Sequence, residues 1–137
     1  MISLGKYCGQ RLDVRMQIIF PFRLIGPSDL CDHIVKNKEI YANKKILELG
    51  SGVGMSGVLV SMINREDCVL TDGNKTVMEL LQKNVDRTNE EHPRAEEEGS
   101  LICHRLKWGT IHVERFFEKH PRFRTSRFDL IIGSDIM

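Results

Sequence analysis

The run Lys45-Ile46-Leu47-Glu48-Leu49-Gly50-Ser51-Gly52-Val53-Gly54 constrains the folding of this chain more than any other segment. An apolar strand carrying one acid leads straight into three glycines on alternate positions. A strand that turns through glycines into a helix is the entry unit of a doubly wound α/β sheet, and nucleotide-like ligands sit against that turn. Glycine has no Cβ, so the backbone can turn sharply and approach a ligand closely. The free N–H groups of the following helix point into the same space.

The rest of the pattern agrees with that unit. Short apolar runs predict strands over residues 45–49, 67–71, 101–105 and 128–132. Helices are predicted over 53–63, 75–88 and 111–119; in the second, Val77, Leu80, Leu81 and Val85 fall on one face. Strands alternating with helices imply right-handed βαβ units, so the expected class is α/β with a Rossmann-like, doubly wound, mainly parallel sheet. Upstream, Val14, Met16, Ile18 and Phe20 alternate, which predicts a strand or hairpin arm over 13–20, ended by Pro21. Pro27-Ser28-Asp29 opens a helix running to about Lys38, with Leu30, Ile34 and Val35 on one face, and Asn43-Lys44 is a turn. Two parts are therefore expected: an N-terminal segment, 1–44, packing on the sheet, and a ligand-binding part, 45–137.

With 137 residues the chain is at most one ordinary domain, and a net charge of +1 gives no global attraction to nucleic acid or membrane. Cys8, Cys31, Cys68 and Cys103 form no C-x-x-C pair, and the five histidines show no metal spacing. These read as reduced thiols of a cytoplasmic or nuclear protein without a metal site. No apolar stretch approaches the length of a membrane span, and residues 1–10 do not read as a signal peptide. Two segments stand apart. Residues 89–100 carry Glu90, Glu91, Glu96, Glu97 and Glu98 against Arg94 and predict a solvated loop. Residues 105–127 hold seven Lys and Arg against two Glu, which reads either as a solvated helix face with a loop or as a local patch for an acidic substrate or nucleic acid.

Gly52, Gly54 and Gly57 also spell G-x-G-x-x-G, so a nicotinamide dinucleotide has to be weighed as the ligand. Asp72 ends the second predicted strand, where an acid accepts hydrogen bonds from both hydroxyls of an adenosine ribose; it could equally cap the next helix. Glu48 separates the ligand classes. A carboxylate there would repel a diphosphate, and it would attract a ligand bearing an ammonium and a sulfonium. Trp108, after the third strand, could wall an adenine ring or could belong to the core.

Taken in order, residues 46–54, Thr71-Asp72, Asn84-Val85, Leu106-Lys107-Trp108-Gly109 and 128–136 resemble the seven-strand S-adenosylmethionine-dependent methyltransferases. More narrowly, they are similar to the protein-lysine methyltransferases that modify chaperones, elongation factors and calmodulin. The first motif is general to methyltransferases, and the ordered set is more specific. The resemblance implies that Glu48 with Gly50, Ser51, Gly52 and Gly54 holds the methionine end of S-adenosyl-L-methionine. It implies that Asp72 holds the ribose, that Gly73, Asn74 and Ser134 also contact the cofactor, that Trp108 packs on the adenine, and that the catalytic Asp135 faces the methyl group and substrate. Phe20-Pro21 stands loosely where the family often has Trp-Pro. The implied partner is a protein carrying a lysine, the released product is S-adenosyl-L-homocysteine, and no metal, membrane or specific nucleic acid takes part.

Three departures qualify the likeness. Lys107 stands where the family often has an acid, and Gly73 replaces an apolar residue beneath the adenine. The chain stops at Met137, one residue before the tyrosine of the terminal motif. The expectation is therefore the N-terminal part of a seven-strand fold, poorly active alone, with its fourth strand open at one edge for self-association. The alternatives are a non-catalytic cofactor-binding or interaction module and an NAD-dependent oxidoreductase.

Overall fold

A computed structural model describes residues 17–19 and 27–134. Its centre is β2 (Ile46–Leu49), flanked by β3 (Cys68–Asp72) and β5 (Leu130–Gly133). β4 (Leu101–Arg105) lies outside β3, and β1 (Gln17–Ile19) lies outside β5. Every neighbouring pair is parallel, and the order β1-β5-β2-β3-β4 reverses direction at β2. A crevice opens at such a reversal, beyond the carboxyl ends of the strands.

Strand alternation sorts side chains onto two covered faces. Ile46, Cys68, Leu70, Leu101, Leu130 and Ile132 pack beneath α1 (Pro27–Lys36), α2 (Lys38–Tyr41), α3 (Met55–Ile63) and α4 (Lys75–Glu91). Val69, with Leu47, Leu49 and Ile102 beside it, meets Phe116 of α5 (Thr110–Lys119), Phe123 of α6 (Arg122–Thr125) and Phe128. The phenylalanines stack, with Phe123 and Phe128 centroids 4.8 Å apart. Helices on both faces make the sheet doubly wound, as the sequence predicts.

Several elements depart from expectation. Residues 17–19 form a strand parallel to β5, with Gln17 opposite Leu130 and Ile19 opposite Ile132; no hairpin partner lies among the described residues. The edge of β5 expected to stay open is thus occupied by β1 along three residues. The helix after the glycines begins at Met55, because Gly54 takes a φ of 90° that no helix contains. The α4 helix runs on to Glu91, three residues past its expected end.

The acidic segment is solvated at Glu96 and Glu97 but is not a free loop. Its one arginine, Arg94, donates to the carbonyls of Ser61 (2.7 Å), Asn64 (3.0 Å), Glu66 (3.0 Å) and Gly99 (2.8 Å). A guanidinium presents its donors in a planar fork, so one side chain fastens the end of α3 to the strand entering β4. In the basic segment, Arg122 pairs with Asp67 at 3.3 Å and Arg124 with Glu114 at 2.6 Å.

Candidate functional site

The glycine turn sits at the carboxyl end of β2. Gly50, Gly52 and Gly54 have φ of 64°, 56° and 90°, a left-handed run that side chains with a Cβ resist. Three neighbours hold the turn in place. From β3, Ser51 N–H donates to the Thr71 carbonyl (2.8 Å), and Thr71 N–H returns a bond to the Ser51 hydroxyl (3.1 Å). From α4, the Asn84 amide donates to the Val53 carbonyl at 2.8 Å. From the end of β3, Asp72 Oδ2 accepts from Gly52 N–H at 3.1 Å. The sequence expected Asn84 to pack or cap locally; instead it reaches across 31 residues, and its place in the Asn-Val motif was the one hint.

Asp72 Oδ1 accepts from Asn74 N–H at 2.8 Å. Each carboxylate oxygen therefore holds one backbone bond and keeps acceptor capacity toward the crevice. Asp72 does not cap the helix. Asn74 does, with its side-chain oxygen accepting from Thr76 N–H (2.9 Å) and Val77 N–H (3.2 Å). Asn74 thus serves the helix at the rim of the site. Gly73 adjoins the third strand's exit, where an added Cβ would meet the Leu106 carbonyl at an ordinary 3.6 Å. Leu106 N–H also donates to the Asp72 carbonyl at 3.0 Å, bringing the segment before Trp108 to the acid. Trp108 is 60 % exposed, so the core alternative fails; it follows Lys107, which neighbours Gly73.

Glu48, expected with the glycine turn to hold the methionine end of the cofactor, lies beneath that turn. It is 2 % exposed and on the sheet face beneath α3, where the Ser56 hydroxyl donates to its Oε1. Its Oε2 is buried without a hydrogen-bond partner among the described residues. Burial pushes its pKa up to about 7, against the opposite pull of Ser56, Ser51 and the Gly57 amide. Gly57 is a glycine for the same reason: a Cβ would collide with that carboxylate and come within 2.5 Å of Leu70. The close helix–strand contact is what the last glycine of G-x-G-x-x-G supplies in either ligand class. Thr71 closes the group, its hydroxyl donating to the Glu48 carbonyl at 2.7 Å.

Ser134 follows β5 at the same end of the sheet and is half-buried. Asp135, Phe20 and Pro21 lie outside the described residues. The structure thus gathers Gly50, Ser51, Gly52, Gly54, Asp72, Gly73, Asn74 and Trp108 at the carboxyl ends of β2, β3 and β4, and withdraws Glu48 beneath them. These residues fit an adenosine-bearing cofactor. The turn leaves backbone room, the acid keeps free acceptors, and an exposed aromatic residue follows β4 at the same end of the sheet.

The family profile described as lysine methyltransferase matches residues 25–137. A mouse protein named EEF1A lysine methyltransferase 3 is 28 % identical over 136 residues, covering 99 % of this chain and 49 % of the relative. An Arabidopsis thaliana protein named calmodulin-lysine N-methyltransferase is 26 % identical over 98 residues, covering 71 % of this chain and 28 % of the relative. The chain thus spans about half or less of the length of these relatives. Among solved structures, an O-methyltransferase from Bacillus cereus in complex with SAH superposes with a TM-score of 0.51 at 14 % identity, over 83 % of this chain and 47 % of that one. At that identity the likeness speaks to the fold.

Proposed function

The chain belongs to the lysine methyltransferase family, and from that premise we propose that it forms the cofactor-binding part of an S-adenosylmethionine-dependent protein-lysine methyltransferase. The relatives' names support a protein lysine as the methyl acceptor. The observation that carries the reading is Asp72. Its two oxygens are each fixed by one backbone N–H, at the end of β3 and beside the glycine turn.

The residues divide the work of holding the ligand. Asp72 accepts from the two ribose hydroxyls with its remaining lone pairs. Trp108 offers its indole face to the adenine. The glycine turn passes close to the amino-acid end, stiffened by Ser51 and Asn84. Glu48 acts from below as a positioning residue, fastening β2 to α3 through Ser56. The cofactor supplies a methyl group already activated on a sulfonium. The protein's part is then to align an uncharged lysine amine with it and to keep water out. The lysine ammonium must shed its proton to free the lone pair before the N–C bond forms and the S–C bond breaks, and Asp135 stands next after Ser134 in sequence to orient that amine and take the proton.

Calorimetric titration with S-adenosylhomocysteine tests this, with NAD as control. The expected result is binding of the homocysteine product and none of NAD, weakened roughly tenfold or more in Asp72→Ala and less in Asp72→Asn. Preference for NAD, or a folded chain that binds neither, overturns the proposal.

A further inference from the structure

The outward face of α5 has a composition that the cofactor site does not use. Phe116 is buried and Phe117 packs against the aromatic core. On the opposite side Ile111 is 62 % exposed, and Arg115 and Lys119 follow it at intervals of one turn, both exposed. Lys107 and Trp108 precede the helix, also exposed. Lys107, Ile111, Arg115 and Lys119 make one strip. It starts at Lys107, which neighbours Gly73, and continues about 12 Å along the helix from Ile111 to Lys119.

The cations of this region are not equivalent. Arg122 and Arg124 are occupied by Asp67 and Glu114, and Arg105 donates to the Gly73 carbonyl at 3.0 Å. Lys107, Arg115 and Lys119 have no carboxylate partner among the described residues. On α5 itself, Glu118 is the one carboxylate left outside an ion pair among those residues. The chain's acidic excess gathers elsewhere, in residues 89–100, fastened by Arg94 to the end of α3. Charge is thus separated, with a positive strip adjoining the crevice and a negative segment held apart from it.

We propose that this strip docks the protein substrate through an acidic segment interspersed with apolar side chains, the carboxylates meeting Lys107, Arg115 and Lys119 and an apolar side chain resting on Ile111. The inference rests on the protein-substrate reading above and specifies the substrate's chemistry. A nucleic acid fits less well. Of the arginine forks that would grip phosphates, Arg122 and Arg124 are bound to carboxylates and Arg105 to a carbonyl, which leaves Arg115 as the one guanidinium of the strip, and an isoleucine occupies its middle. Complementary charge of this kind sets partner choice and encounter rate more than total affinity.

Two labelled peptides test it by fluorescence anisotropy on the full chain. Each has one central lysine flanked by leucines, with glutamates in one peptide and glutamines in the other; a single-stranded RNA oligonucleotide is the third probe. The glutamate peptide is expected to bind roughly tenfold tighter at low salt, and the preference is expected to shrink as salt rises. The combined variant Lys107→Gln, Arg115→Gln, Lys119→Gln abolishes the preference, and Lys36→Gln, Lys75→Gln, Lys83→Gln retains it, with melting temperatures unchanged in both. Equal binding of the peptides, a preference that survives the first variant, or tighter binding of the RNA through the same residues overturns the proposal. S-adenosylhomocysteine binding without an acidic preference sinks this inference alone. An acidic preference without S-adenosylhomocysteine binding sinks the methyltransferase reading and leaves the docking surface.

Discussion

Replacing Glu48 by glutamine removes a charge from the interior at almost constant shape. In the native protein the carboxylate is 2 % exposed, shares one bond with Ser56 and leaves Oε2 unpaired. Its pKa of about 7 lies well above the ordinary 4.5. An acid whose folded-state pKa is raised favours folding in its protonated form. That stability is complete below the unfolded pKa and is lost as pH rises through the folded one. The wild-type chain should therefore lose stability between about pH 5 and pH 7 and stay level from this group above that, the total loss being roughly 3 kcal/mol. Glu48→Gln keeps an acceptor for Ser56 and cannot ionise. At pH 8 it should be more stable than wild type by up to about 3 kcal/mol, or on the order of 10 °C in melting temperature, and its stability should not slope over the same window. Urea unfolding of both chains from pH 5 to pH 8, without cofactor, measures this. A variant no more stable than wild type at pH 8, or a wild-type chain with no slope between pH 5 and pH 7, refutes the argument that burial of this charge is uncompensated.

Two further substitutions follow from the same geometry. Arg94→Ala strips four carbonyls of their donor at the end of α3 and before β4, and should cost about 2–4 kcal/mol of stability in urea unfolding with cofactor affinity little changed once the chain is folded. Trp108→Ala removes an exposed side chain, so stability should move by less than about 0.5 kcal/mol while S-adenosylhomocysteine affinity by calorimetry falls roughly tenfold through lost stacking; a destabilised variant with normal affinity would place the indole in the core instead.

What the sequence by itself determined was set by local physics. Lys45 to Gly54 read as a strand entering a glycine turn, because a short apolar run and alternate glycines need no distant partner to be read. The strand–helix rhythm, and with it the parallel doubly wound sheet, followed from period and from the handedness of βαβ units. Asp72 was legible as a candidate site residue because the end of a strand neighbouring the glycine turn is the same place in any such sheet. The tertiary structure decided whatever depends on which surfaces meet. It set β1 against β5, 113 positions apart where Gln17 faces Leu130, a pairing that three-residue periodicity cannot announce. It turned Glu48 under α3, because the pleat sends alternate residues to opposite faces and only the assembled sheet says which face is closed by a helix. It made Arg94 a fastener rather than a lone cation in an acidic loop, and Asn84 a clamp on the glycine turn, since a side chain's partners across some thirty residues exist only once the helices have packed. It left Trp108 in the open, where the sequence had allowed either an adenine wall or the core, because Phe116, Phe123 and Phe128 had already filled the core beneath α5 and α6.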